Sequence, residues 1–245
     1  MADGPSQADF LIALVLGIGP ALGVLYWSLR RFDRPHVDHA LFDDRRVFGA
    51  LAVGMVFGVF ASGLNLLLSL GSFAGAVLVL ASVVLFEELF KLVYLNRRRY
   101  RGRFDTTFYG VPLGVGAAST AVVANVVWAE GSPVPPASLA LFALFSAGLS
   151  LANASSGALV GFGASRGEML RPLLRAVAVR YAHAAFLFPF YLRADPWGIV
   201  SVFTALGFAS IVFHYVYEEI LPGTLPEDLR RQLRRARRRT QAIKD

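Results

Sequence analysis

Apolar residues in this chain run in long, nearly unbroken blocks. Seven blocks reach the roughly 20 residues that a helix needs to cross a hydrocarbon core. They fall at about 8–29, 47–70, 73–95, 107–129, 137–163, 173–192 and 198–217. Lipid offers the backbone no hydrogen-bond partner, so a spanning segment of this kind closes its own bonds as an α-helix. The pattern therefore predicts an all-α, polytopic membrane helix bundle of about seven transmembrane helices, forming a single domain over residues 1–221. Met1 to Asp9 holds two aspartates and no basic residue. That stretch lacks the basic start of a signal peptide, and the first block is expected to be a retained span.

The polar connections alternate in charge. Arg30, Arg31, Arg34, Arg45 and Arg46 follow the first block, Arg97, Arg98, Arg99, Arg101 and Arg103 the third, and Arg166, Arg171 and Arg175 the fifth. Residues 71–72, 130–136 and 193–197 carry a single basic residue between them. The positive-inside rule then predicts an N-terminus outside and a C-terminus in the cytoplasm, in the cell membrane. After Pro222 and Gly223 the chain becomes a basic cytoplasmic tail, 222–245. Thr224 and Glu227 stand at capping-box spacing before Arg230, Arg231, Arg234, Arg235, Arg237, Arg238 and Arg239. This predicts a basic surface helix, read either as a topology anchor or as a contact for anionic lipid headgroups worth about 1 kcal/mol per basic residue. No aromatic residues interleave with the arginines, which argues against a nucleic-acid partner.

Composition agrees. A hydrophobic fraction of 56% and a mean hydropathy of +0.55 exceed what one soluble core requires. The chain has no cysteine, which excludes disulfides, thiol nucleophiles and thiolate metal sites and leaves His, Asp or Glu for any metal. Small residues recur at helical spacing: Gly54, Gly58, Ser62, Asn65 and Ser69 in the second block, Gly110, Gly114, Ala118, Ala121 and Asn125 in the fourth, Ser146, Ser150, Asn153, Gly157 and Gly161 in the fifth. Such faces let backbones approach closely in lipid.

Against this background, Glu87, Glu88 and Lys91 stand out inside the third block. Counted back from Asn96, Glu88 lies roughly 12 Å and Glu87 roughly 14 Å below the inner boundary at 1.5 Å per residue. Each such charge costs at least ~2.5 kcal/mol on insertion scales, so the three are expected to face the protein interior. Lys91 reaches either acid at helical spacing. One carboxylate is then neutralised, and the other, sharing a dry site with a like charge, suits general acid and base work. His183 in the sixth block and Asn153 in the fifth fall at a similar depth, and Arg180, three residues before His183, offers a further carboxylate partner. His214 with Glu218, and His36 with His39 beside several aspartates, are weaker metal-ligand candidates.

These residues resemble the PrsW family of membrane proteases, relatives of the CAAX-protease and bacteriocin-processing superfamily, over most of the chain. Pro20 and Asp33-Arg34-Pro35 look like the family's N-terminal region, Glu87-Glu88-Leu89-Phe90-Lys91 is similar to its EExxK motif, and Phe104-Asp105, Tyr109-Gly110 and Gly114 are similar to the stretch after it. The resemblance implies a glutamate-dependent intramembrane endopeptidase with a glutamate and two histidines on later helices. Asn125 fits the asparagine of a Glu-Asn pair, with Ala124 at the glutamate position. Asn153 stands where the first histidine is expected, His183 fits the second, and Leu187 replaces a polar residue.

Three functions remain in competition. In an endopeptidase acting on a membrane-protein substrate, Glu87 or Glu88 activates water, His183 and Asn153 steady the oxyanion, and Lys91 tunes the acids; a divalent metal stays open as cofactor. A catalytically degenerate relative binds a membrane partner or lipid. A transporter relays protons through the buried Glu and Lys.

Overall fold

The computed structural model describes residues 6–33, 40–67, 73–129, 136–192, 194 and 196–242, and the regular structure among them is entirely helical. Among the described residues, seven helices are long and apolar enough to span a membrane. They are α1 (Gln7–Arg30), α2 (Asp44–Leu67), α3 (Phe73–Leu95), α4 (Thr106–Ala129), α5 (Pro136–Arg166), α6 (Leu170–Tyr191) and α7 (Trp197–Tyr215). A capping box opens α1: Asp9 N donates to Ser6 Oγ at 3.2 Å, and Ser6 N donates to the Asp9 carboxylate at 3.1 Å.

The seventh span runs further than its apolar block. From α7 the chain continues through one π-helical turn, Val216–Ile220, into the short α8 (Leu221–Gly223), and after a break α9 (Glu227–Ala242) begins. Pro222, in α8 directly after the π-helical turn, has no N–H to offer the turn before it, where Tyr217 O accepts from Arg31 Nη1 at 3.2 Å. The capping box expected at Thr224 and Glu227 is not how that hydroxyl is used. Thr224 is buried, and its Oγ1 shares a 2.7 Å hydrogen bond with Thr107 Oγ1 and donates to Phe104 O at 3.0 Å. A buried hydroxyl takes the partners that the packing brings to it. Leu225 and Leu233 join the same apolar cluster as the spans, so the start of the tail is packed on the bundle.

Two helices form the centre. In α4 and α5 the apolar stretch is 67% and 61% buried, against 33% in each of the other five, whose apolar faces such as Val15, Phe60, Leu78 and Ile211 are exposed. Around this pair, α7 meets α1 through Trp27 and Phe213 rings 6.2 Å apart, and α6 meets α3 through the edge-to-face pair Phe73 and Phe188. Phe57 and Phe90 stack at 3.8 Å between α2 and α3.

Glycine makes the centre tight. A Cβ on Gly110 would collide with the Gly157 carbonyl, and one on Gly114 with the Asn153 carbonyl. The α4 and α5 backbones thus touch directly, as small residues permit in lipid. On the α2 side, Gly54 lies against the Leu113 carbonyl in the same way. In the second small-residue stripe, the Asn65 side chain and Ser69 lie outside the described residues.

Gly114→Ala is expected to destabilise the protein by about 1–3 kcal/mol, the usual cost of forcing extra atoms into a packed interior. Gly49→Ala, whose added carbon meets nothing, is expected to change little. Unfolding in detergent followed by helical circular dichroism checks this; equal losses would mean that α4 and α5 are not in backbone contact.

Candidate functional site

The charged residues of α3 face the protein. Glu87, Glu88 and Lys91 are buried, with Glu88 0% and Lys91 1% exposed, while their neighbours Phe86 and Leu89 are exposed. On a helix, positions 87, 88 and 91 share one face and 86 and 89 another, which divides polar from lipid-facing sides of the same turn.

Lys91 is saturated. Its Nζ donates to Glu88 Oε1 at 2.6 Å, to Asn153 Oδ1 at 2.9 Å and to Ser156 Oγ at 2.8 Å, using all three donors of an ammonium. Ser156 Oγ in turn donates to Glu88 Oε1 at 2.9 Å and lies 3.2 Å from Asn153 O. Both partners come from α5, one turn apart. Their placement depends on the α4 contact, because Gly114 packs on the Asn153 carbonyl itself.

The second acid is also paired. Arg180 of α6 donates through Nη2 to Glu87 Oε2 at 2.6 Å, and its Nε lies 3.5 Å from Glu88 Oε1. Arg180 and Glu87 side chains are 5% and 7% exposed. Two carboxylates and two cations therefore form one neutral, buried network across α3, α5 and α6. Tyr181 adds a bond between the same helices, its hydroxyl donating to Ala81 O at 3.0 Å.

This corrects the sequence-based picture of one neutralised acid beside one left with a like charge. Arg180, marked there only as a further partner, takes Glu87 directly. Asn153 is also used differently from the oxyanion donor that was expected. Its oxygen accepts from Lys91 and its Nδ2 donates to Leu149 O at 3.1 Å, so the amide is engaged at both ends. Ser156 was missed. The signal available was its spacing, three residues after Asn153 and on an adjoining strip of the helix.

His183 is buried, but among the described residues neither ring nitrogen has a hydrogen-bond partner, and neither does Glu88 Oε2. The ring seats against bare backbone: a Cβ built on Gly148 of α5 would lie 3.6 Å from Nε2 and 3.4 Å from Leu206 of α7. No hydrogen bond joins His183 to either glutamate among the described residues. Asn125 is not brought into the site. It lies on α4 about 16 Å along the axis from Gly114, the residue packed on Asn153, at 1.5 Å per residue, and its Nδ2 donates to Ala121 O at 2.8 Å within its own helix.

The weaker metal candidates separate as well. Glu218 Oε1 accepts from Arg31 Nη1 at 2.8 Å, and the π-helical turn starting at Val216 falls between His214 and Glu218 and alters their spacing on the helix. His36 and His39 lie outside the described residues. Among the described residues, no group of three His, Cys, Asp or Glu side chains is arranged to hold a metal ion.

No protein-family model matches the chain, and neither the curated proteins nor the solved structures contain a match.

Breaking a buried pair strands its partner, at a typical cost of about 3–5 kcal/mol. Lys91→Met alone is expected to lose stability in that range. Lys91→Met combined with Glu88→Gln is expected to recover much of it, because both charges are then gone. A double-mutant cycle from unfolding in mild detergent measures the coupling; strictly additive losses would contradict the pair.

Proposed function

We propose that this chain is a PrsW-like multi-pass membrane protein that binds a membrane partner without cleaving it, its charged layer serving as a structural ion network. One observation carries the reading: each glutamate of the EExxK segment is held by a cation, Glu88 by Lys91 and Glu87 by Arg180, both at 2.6 Å. A general base must be free to take a proton from water, and an ion-paired carboxylate is a poor one. With Asn153 turned to Lys91 and His183 bonded to neither acid, the parts of a water-activating site do not meet.

The same network gives the bundle a role it can perform without chemistry. It fixes α3 against α5 and α6 and leaves the apolar outer faces of α1, α2, α3 and α7 for lipid or a membrane-embedded partner. In this reading the arginine-rich end, where Arg31 just after α1 donates to Tyr217 O in the π-helical turn after α7, faces the cytoplasm of the cell and the N-terminus lies outside.

A second reading, the glutamate-dependent endopeptidase, is favoured by the unpartnered Glu88 Oε2 and His183 nitrogens. Buried polar atoms without partners mark places where water or a substrate group is accommodated. In that case Arg180 and Lys91 release the acids only when substrate enters.

The reconstituted protein is expected to cleave none of a panel of membrane-segment substrates, and Glu87→Gln combined with Arg180→Met, which removes both charges of that pair, is expected to complement a deletion strain about as well as the native chain does. Cleavage by the native protein that disappears in a folded Glu87→Gln or Glu88→Gln variant would overturn the binding role in favour of the protease.

A further inference from the structure

Three segments meet at the arginine-rich end of the bundle. Gly102 N donates to Ala164 O at 3.0 Å, tying the α3–α4 loop to the end of α5. Thr224 Oγ1 donates to Phe104 O at 3.0 Å, tying the same loop to the junction of α8 and α9. At this corner two guanidinium groups converge on one carbonyl. Arg166 Nη2 lies 3.3 Å and Arg230 Nη2 3.0 Å from Gly223 O, and Arg230 Nη2 also reaches Leu225 O at 3.3 Å.

Neither arginine has a carboxylate partner among the described residues. The acids nearest in sequence, Glu168 two residues after Arg166 and Asp228 two before Arg230, form no ion pair with either arginine among the described residues, and Glu227 is taken by Arg231. A helix-terminal carbonyl carries only a fraction of a negative charge, so it offsets part of one guanidinium and leaves the pair in excess. Arg230 Nε is moreover buried without a hydrogen-bond partner. Two cations held within reach of one oxygen, one of them with a donor left unfilled, are complementary to an anion with several acceptor oxygens. Phosphate fits that description, since guanidinium donors meet its oxygens in pairs.

We infer that this corner binds the phosphate of an anionic phospholipid headgroup from the adjoining leaflet. The lipid is preferred over a free anion because of what surrounds the charges. Arg166 sits at the end of a spanning helix with its guanidinium 4.1 Å over the Phe162 ring, and Leu170 and Leu174, at the start of α6, are 68% and 57% exposed. A phosphate at the corner would leave its acyl chains level with those leucines. The inference holds whether the charged layer binds or cleaves.

Full-length protein in nanodiscs of phosphatidylcholine doped with phosphatidylglycerol, examined by native mass spectrometry, tests the site. The native chain is expected to retain phosphatidylglycerol over phosphatidylcholine, and Arg166→Gln and Arg230→Gln each to reduce that retention about fivefold. Arg235→Gln, exposed on α9, is expected to leave it unchanged. Should Arg230→Gln lose helicity, the exposed Arg166→Gln decides alone. Equal losses from all three variants would mean diffuse attraction and overturn the site, as would retention unaffected by Arg166→Gln. Binding of inorganic phosphate that Arg166→Gln abolishes, with no preference for phosphatidylglycerol over phosphatidylcholine, would reassign the corner to a free anion and likewise overturn the inference.

Discussion

A charge buried in hydrocarbon must meet an opposite charge within bonding distance, and the rest of this structure is arranged so that Glu88 and Lys91 do. Being three residues apart on α3, they pair with each other at 2.6 Å before any other helix is considered. What other helices supply is completion. Asn153 and Ser156 fill the remaining donors of Lys91, and Arg180 supplies the second cation, which Glu87 requires. The hydrophobic effect does not hold helices together inside a bilayer, so polar bonds of this kind and close packing determine which helices associate.

The packing that delivers those partners is remote from the charges in character. Gly110, Gly114 and Gly157 let α4 and α5 meet backbone to backbone, and that contact sets the rotation and height of α5. Rotation and height decide that Asn153 and Ser156, and not the apolar side chains beside them, confront α3. Small residues in one pair of helices thereby control ion pairing in another. The cationic end follows the same logic with a different outcome: there Arg166, the last residue of α5, and Arg230 are brought together on Gly223 O with no ion pair to an acid among the described residues.

Most of the architecture was legible in the sequence because the bilayer imposes a length. Blocks of apolar residues near 20 long could be read as spans, and each coincides with a helix to within several residues. Depth was legible for the same reason, since rise per residue converts position into height. Azimuth was not. Ser156 was overlooked and Asn153 misassigned because which side of α5 faces α3 is fixed by tertiary packing, and Arg180 captures Glu87 through the approach of α6, which no local pattern specifies. His183, expected at the depth of the acids, lies against Gly148 and lacks a bond to them among the described residues. The helical run past residue 217 and the Thr224 bonds escaped notice because Pro222 and Gly223 look like punctuation, and here Pro222 begins a helical turn.

The central claim, that the buried layer is a charged and mutually neutralising network, is open to one direct measurement. The chain contains two lysines, Lys91 and Lys244. Nitrogen-15 lysine labelling therefore gives two side-chain signals in solid-state spectra of the reconstituted protein. The account predicts a Lys91 Nζ resonance at the ammonium frequency, with carbon correlations to an ionised Glu88 carboxylate. A neutral amine signal with no Glu88 contact would contradict it.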